Sequence, residues 1–93
     1  MNNEVPTMKP NDQELRRVSI KILEENYILR TKSSEEYADM LARNLDSRMK
    51  NLARENPKLS PYRIAVLTSL NLMDELEKST RRVSELLELA DRN

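Results

Sequence analysis

From Pro61 through Asn93 the chain contains no glycine and no further proline, so nothing there stops a helix once it has begun. Ser60 suits an N-cap and Pro61 the first helical position, where the missing proline N–H has no intrahelical partner to lose. A helix over these 33 residues extends roughly 50 Å at about 1.5 Å per residue. The short stretch that precedes it cannot cover that length. The helix must protrude and meet other chains.

Its periodicity agrees. Val66, Met73, Thr80 and Leu87 recur every seven residues, and Ser69, Leu76, Val83 and Ala90 recur with the same period, offset by three. This is a heptad seam with polar interruptions at Ser69 and Thr80. A neighbouring row of Leu72, Ser79 and Leu86 widens the stripe beyond what a two-stranded coil needs, which predicts contact with more than one partner helix. Leu70 and Asn71 lie near the start of this surface. Asn71 is a candidate for fixing pairing geometry, or else an exposed helical asparagine.

Upstream, Arg17 to Leu23 alternates, with Val18, Ile20 and Ile22 on one side and Ser19 and Lys21 on the other. Tyr27 to Thr31 is a second candidate strand, with Tyr27, Leu29 and Thr31 on one face. A two-residue loop at Glu24-Glu25 would set Ile22 against Tyr27 and Ile20 against Leu29, placing both apolar rows together. Tight hairpin turns favour glycine or asparagine, and only Asn26 is available, so a strained or slightly longer turn is expected. Ser33-x-x-Glu36 has the form of a capping box. Beyond it Tyr37, Met40, Leu41, Leu45, Met49 and Leu52 form an apolar stripe, with Asp39, Arg43, Asp46 and Lys50 on the opposite side. That helix must end before Asn56-Pro57. The expected architecture is α+β. It comprises a disordered arm over 1–15, a ββα head over 16–59 with its hairpin packed on a helix, and a long C-terminal helix over 60–93 forming an oligomeric coiled coil.

Composition removes most chemistry. The chain has no cysteine, histidine or glycine. Disulfides, thiol nucleophiles, ordinary zinc sites, P-loops and dinucleotide fingerprints are therefore excluded, and the best proton-transfer side chain near neutral pH is missing. The acidic pairs Glu24-Glu25, Glu35-Glu36 and Asp74-Glu75 read as solvated charges or helix-end acids. An enzyme is not expected, nor a metal, a cofactor or a small-molecule substrate. No apolar run is long enough to span a membrane or to follow the N-terminus as a secretory signal, so a cytoplasmic protein is expected.

Basic residues gather modestly. Arg43, Arg48, Lys50, Arg54, Lys58 and Arg63 outnumber Asp46 and Glu55, and Lys21 and Arg30 share the polar hairpin face with Ser19. Such a surface is a solvated face or meets an acidic protein. Formal net charge is zero, and Phe and Trp are absent, which argues against nucleic acid. The residues by themselves leave open a coiled-coil adaptor with another protein partner.

Three segments carry a family resemblance. NPKLSPYRIAVLTSLNLMDEL, Asn56 to Leu76, resembles the signature of the ZapA family of bacterial cell-division accessory proteins. VSIKIL followed by Tyr27 resembles its first hairpin, and EEYADMLARNLDSRM its first helix. The likeness runs in order from about Val18 to Leu76. It implies a protein without catalytic activity that binds FtsZ, a tubulin-like GTPase that polymerises at midcell. It further implies cross-linking or bundling of FtsZ protofilaments at the division ring. Dimerisation, with tetramers as dimers of dimers, would run through the long helix. On this reading Lys21, Arg30, Arg48, Lys50, Arg54 and Lys58 are candidate FtsZ contacts, with the turn around Glu25 next. Two departures stand out: the family usually has glycine at the position of Glu24, and often an acid where this chain has Tyr62.

Overall fold

The computed structural model describes residues 15–92. Two strands, β1 (Arg16–Ile22) and β2 (Glu25–Thr31), are followed by α1 (Glu35–Glu55) and α2 (Pro61–Asp91). The expected N-terminal arm lies, apart from Leu15, outside the described residues.

The strands pair antiparallel, with Val18 opposite Leu29, Ile20 opposite Tyr27 and Ile22 opposite Glu25. The turn is therefore Leu23-Glu24, not Glu24-Glu25, and each pairing slides by two residues from the expected one. A two-residue slide preserves side-chain parity, so the apolar face survives the correction. Leu23 (φ 48°) and Glu24 (φ 66°) both take positive φ, as type I′ turns require. The turn is strained as expected, yet no longer than two residues. Helix α1 fixes its place: the Leu23 N–H donates to Asp46 Oδ1 at 2.8 Å.

Helix α1 opens one residue later than the capping-box pattern suggested. Ser34 is the N-cap, its hydroxyl accepting from the Tyr37 N–H at 3.1 Å. The Ser33 N–H donates instead to Thr31 Oγ1. The third helical residue is thus Tyr37, which cannot complete a capping box. Glu35 and Glu36 still fall in the first turn, where acids favour the helix dipole. The helix ends at Glu55 with Asn56 as its C-cap, just before Pro57.

The core brings Val18 and Ile20 together with Ala38 and Ala42, and Ile22 and Leu29 pack against them. The small alanines let the helix approach the sheet closely. Met49 of the expected stripe is buried, but the stripe is otherwise corrected: Tyr37 and Met40 are exposed, while Ala38 and Ala42 are buried. Asp46, placed by periodicity on the solvent side, reaches the hairpin turn.

Helix α2 begins as the sequence indicates, Ser60 Oγ accepting from the Arg63 N–H. Its first turns pack on α1 and bury Ile64 (1% exposed) and Thr68. The Thr68 hydroxyl donates to the Ile64 carbonyl at 2.8 Å, so burial leaves it satisfied. From Ser69 to Arg92 every residue is exposed.

Candidate functional site

Two surfaces carry the sequence-derived candidates. The first is the α2 stripe. Val66, Leu70, Met73, Leu76, Val83, Leu86 and Leu87 are all exposed, Leu76 at 58%. Asn71, Thr80 and Ala90 are exposed with them. This long helix carries an apolar row that the other described residues do not cover.

Leu72 joins that stripe to the head. It lines an apolar cleft of about 380 Å³ with Ile20, Ile22 and Leu29 of the hairpin and Leu41 and Leu45 of α1. Arg48 stands at the edge of this cleft. Its guanidinium forms a bidentate pair with Glu75, Nη1 to Oε2 at 2.5 Å and Nη2 to Oε1 at 3.0 Å, while Nε donates to Asn44 Oδ1. The pair straps α1 to α2. It holds the Glu75 carboxyl below its ordinary range and raises the Arg48 pKa. Asn71 and Asp74 lie beside it, along a second, more polar cleft between the helices.

The second surface is the basic head, and the structure divides it. Lys50 pairs with Asp46 at 3.0 Å and with Glu24 at 3.3 Å, and Lys21 pairs with Glu24 at 3.4 Å. Lys50, then Lys21, hold the Glu24 carboxyl down. The Leu23 N–H, then Lys50, do the same for Asp46. Asp46 and Glu24 in turn raise the Lys50 pKa. These charges fasten the hairpin turn to α1. Arg54 donates to Asn51 one turn back. Lys58 and Arg30 make no ion pair among the described residues, and Glu25 lies exposed at the start of β2.

Sequence reading missed Arg17, which lies directly opposite Arg30 on the outer hairpin face. The alternation that placed Ser19 and Lys21 on that face also places Arg17 there, so the signal was present. It likewise missed Asp46 and Glu75, whose roles depend on partners 23 and 27 residues away in sequence.

The described fold is a small α+β head extended by a long amphipathic helix whose apolar stripe its own chain leaves bare. No described helix is long and apolar enough to cross a membrane, and no cluster of three or more potential metal ligands occurs among the described residues. Residues 18–92 match the family described as Cell division protein ZapA. The Cell division protein ZapA of Halalkalibacterium halodurans is 37% identical over 71 residues, 76% of this chain and 78% of that protein. That of Geobacillus sp. (strain WCH70) is 26% identical over 77 residues, covering 83% and 88%. The solved ZapA mutant dimer from Geobacillus stearothermophilus superposes with a TM-score of 0.63 at 25% identity, covering 86% of this chain and 96% of that one. The chain belongs to the ZapA family of cell division proteins.

Proposed function

We propose that this protein is a non-catalytic accessory factor that binds FtsZ through its head and cross-links FtsZ protofilaments at the division ring, in the cytoplasm at midcell. The observation that carries the reading is the bare stripe of α2, with a folded head at one end of it. Pairing α2 helices joins two heads into one particle. Two weak head contacts on neighbouring filaments then act together, because the second forms at high effective concentration. No nucleic acid, membrane or small-molecule partner enters this scheme.

The homodimer would form along Val66, Leu70, Met73, Leu76, Thr80, Val83, Leu87 and Ala90. Leu72 and Leu86 widen the surface enough for a dimer of dimers, and Asn71 sits at its head end. Leu72 also makes the interface continuous with the apolar cleft of the head. A mutant of the related ZapA from Geobacillus stearothermophilus was solved as a dimer, which supports pairing of two chains. In organisation, residues 16–59 act as the docking head, 60–93 as the assembly helix and 1–15 as an appended arm.

Co-sedimentation with polymerised FtsZ and light scattering of the same mixtures test the reading. The protein should pellet with polymer and raise scattering. The variant Leu76→Glu with Val83→Glu should pellet weakly and fail to raise it. A parent protein that stays in the supernatant at every salt concentration would reject FtsZ as the partner.

A further inference from the structure

We infer that the outer face of the β-hairpin is the docking surface for an acidic polypeptide segment carrying an aliphatic residue, seated on Arg17, Arg30 and Ile28. The inference deepens the FtsZ reading above and rests on it.

Arg17 and Arg30 are directly opposed across the ladder. Side chains so placed start about 5 Å apart, and like charges there are destabilising. Neither arginine has an ion-pair partner among the described residues, because α1 packs on the other face of the sheet. Lys21, at the turn end of the same face, already has Glu24. The next pair toward the turn is Ser19 opposite Ile28, and Ile28 is 44% exposed on a face otherwise polar. Among the described residues, a repulsive pair beside an exposed isoleucine adds no stabilising contact.

The chemistry specifies the occupant. Two adjacent guanidinium forks match two carboxylates. Ile28 calls for an aliphatic side chain next to them. A nucleic-acid strand would satisfy the charges, but its bases stack on aromatic side chains, and this face has none. Arg48, Lys50 and Lys21, by contrast, are held by Glu75, Asp46 and Glu24. They serve the head's own geometry.

The test compares full-length parent, Arg17→Ser with Arg30→Ser, Ile28→Ser, and Lys78→Ser in co-sedimentation with polymerised FtsZ. The double variant should bind about tenfold more weakly, with a shallower salt dependence. Ile28→Ser should also weaken binding, and Lys78→Ser, on α2 and paired with Asp74, should leave it unchanged. The double variant should melt no lower than the parent, because a repulsive pair has been removed. If the parent pellets and the double variant pellets equally, the docking face lies elsewhere while the FtsZ reading stands. If the parent does not pellet, both fall. A double variant that melts well below the parent shows the arginines to be structural and overturns the inference. So does a change in its sedimentation without FtsZ, which would make the face a contact between copies. A DNA mobility shift in the parent that the double variant loses would assign the face to nucleic acid and overturn it as well.

Discussion

The head and the distal two-thirds of α2 use the same residue types under opposite rules. In the head and the first turns of α2 packed on it, Val18, Ile20, Met49 and Ile64 are buried by the chain itself. Beyond Thr68, equally apolar Leu70, Leu76, Val83 and Leu87 stand in solvent. The radius of gyration is 17.0 Å, against about 13 Å for a compact chain of 100 residues. The difference teaches where stability is intrinsic and where it depends on concentration. Head contacts close within one chain. On the proposed assembly the helix gains its burial only when another chain arrives, and its stability would follow mass action.

The change that most separates the two regions is Leu76→Glu with Val83→Glu. Both positions are solvent-exposed in the protomer, so the head should keep its fold. In an assembled stripe each carboxylate would be buried without a partner, at several kcal/mol per site. Sedimentation equilibrium should show the variant as a monomer at concentrations where the parent is a dimer or larger. A variant that sediments like the parent would move the interface off this stripe.

The complementary change lies where the first turns of α2 pack on the head. Ile64→Ala removes a side chain only 1% exposed, and cores lose about 2–5 kcal/mol for such a truncation. The melting temperature should fall sharply at every protein concentration. Leu87→Ala, in the bare region, should lower it only where the parent is assembled. Equal losses in dilute solution would erase the distinction between the regions.

The sequence made the helix legible and the head only partly so. Periodicity reports faces: the strand alternation survives in the structure, and the heptad positions run along one exposed helix. Caps at Ser60 and the stop at Asn56-Pro57 were local signals, and they held. What failed needed knowledge of a distant neighbour. The turn sits at Leu23-Glu24 because Asp46 accepts the Leu23 N–H, and no local rule prefers leucine at positive φ. Ala38 and Ala42 were overlooked because stripes are usually traced through large residues, whereas close helix–sheet approach selects small ones. Among the candidate contacts, residue type alone could not tell Arg48, strapped to Glu75, from Arg30, which has no such carboxylate among the described residues.

The fastening between turn and helix predicts an acid dependence of stability. The folded state holds the Asp46 and Glu24 carboxyls below their ordinary values of 3.8 and 4.5. Groups depressed on folding contribute stability that is present above the ordinary pKa and lost as pH falls through the folded one. Melting temperature should therefore hold from pH 7 to about 5, then decline in acid. Asp46→Asn keeps an oxygen acceptor for the Leu23 N–H but removes the titrating charge, so its acid decline should be shallower. Glu75, also depressed, by Arg48, keeps the decline from vanishing. An unchanged acid profile in Asp46→Asn would show that the turn is fastened without this carboxylate.

The smallest expected effect concerns the strain that the fastening tolerates. Glu24 holds φ 66°, a conformation that glycine reaches freely and a residue with a Cβ does not. Glu24→Gly relieves that strain but also removes contacts to Lys21 and Lys50. Both are solvent-exposed pairs, which are usually weak. Glycine additionally loosens the unfolded chain, which opposes the gain. Strain relief should still win, raising the melting temperature by a few degrees. Glu24→Ala separates the terms, since it loses the same ion pairs while keeping a Cβ at positive φ. Alanine should therefore melt slightly below the parent and glycine above it. If glycine melts no higher than alanine, positive φ at this site costs the head nothing. The turn would then be as relaxed as the helices it is tied to, and the hairpin's register would rest on Asp46 alone.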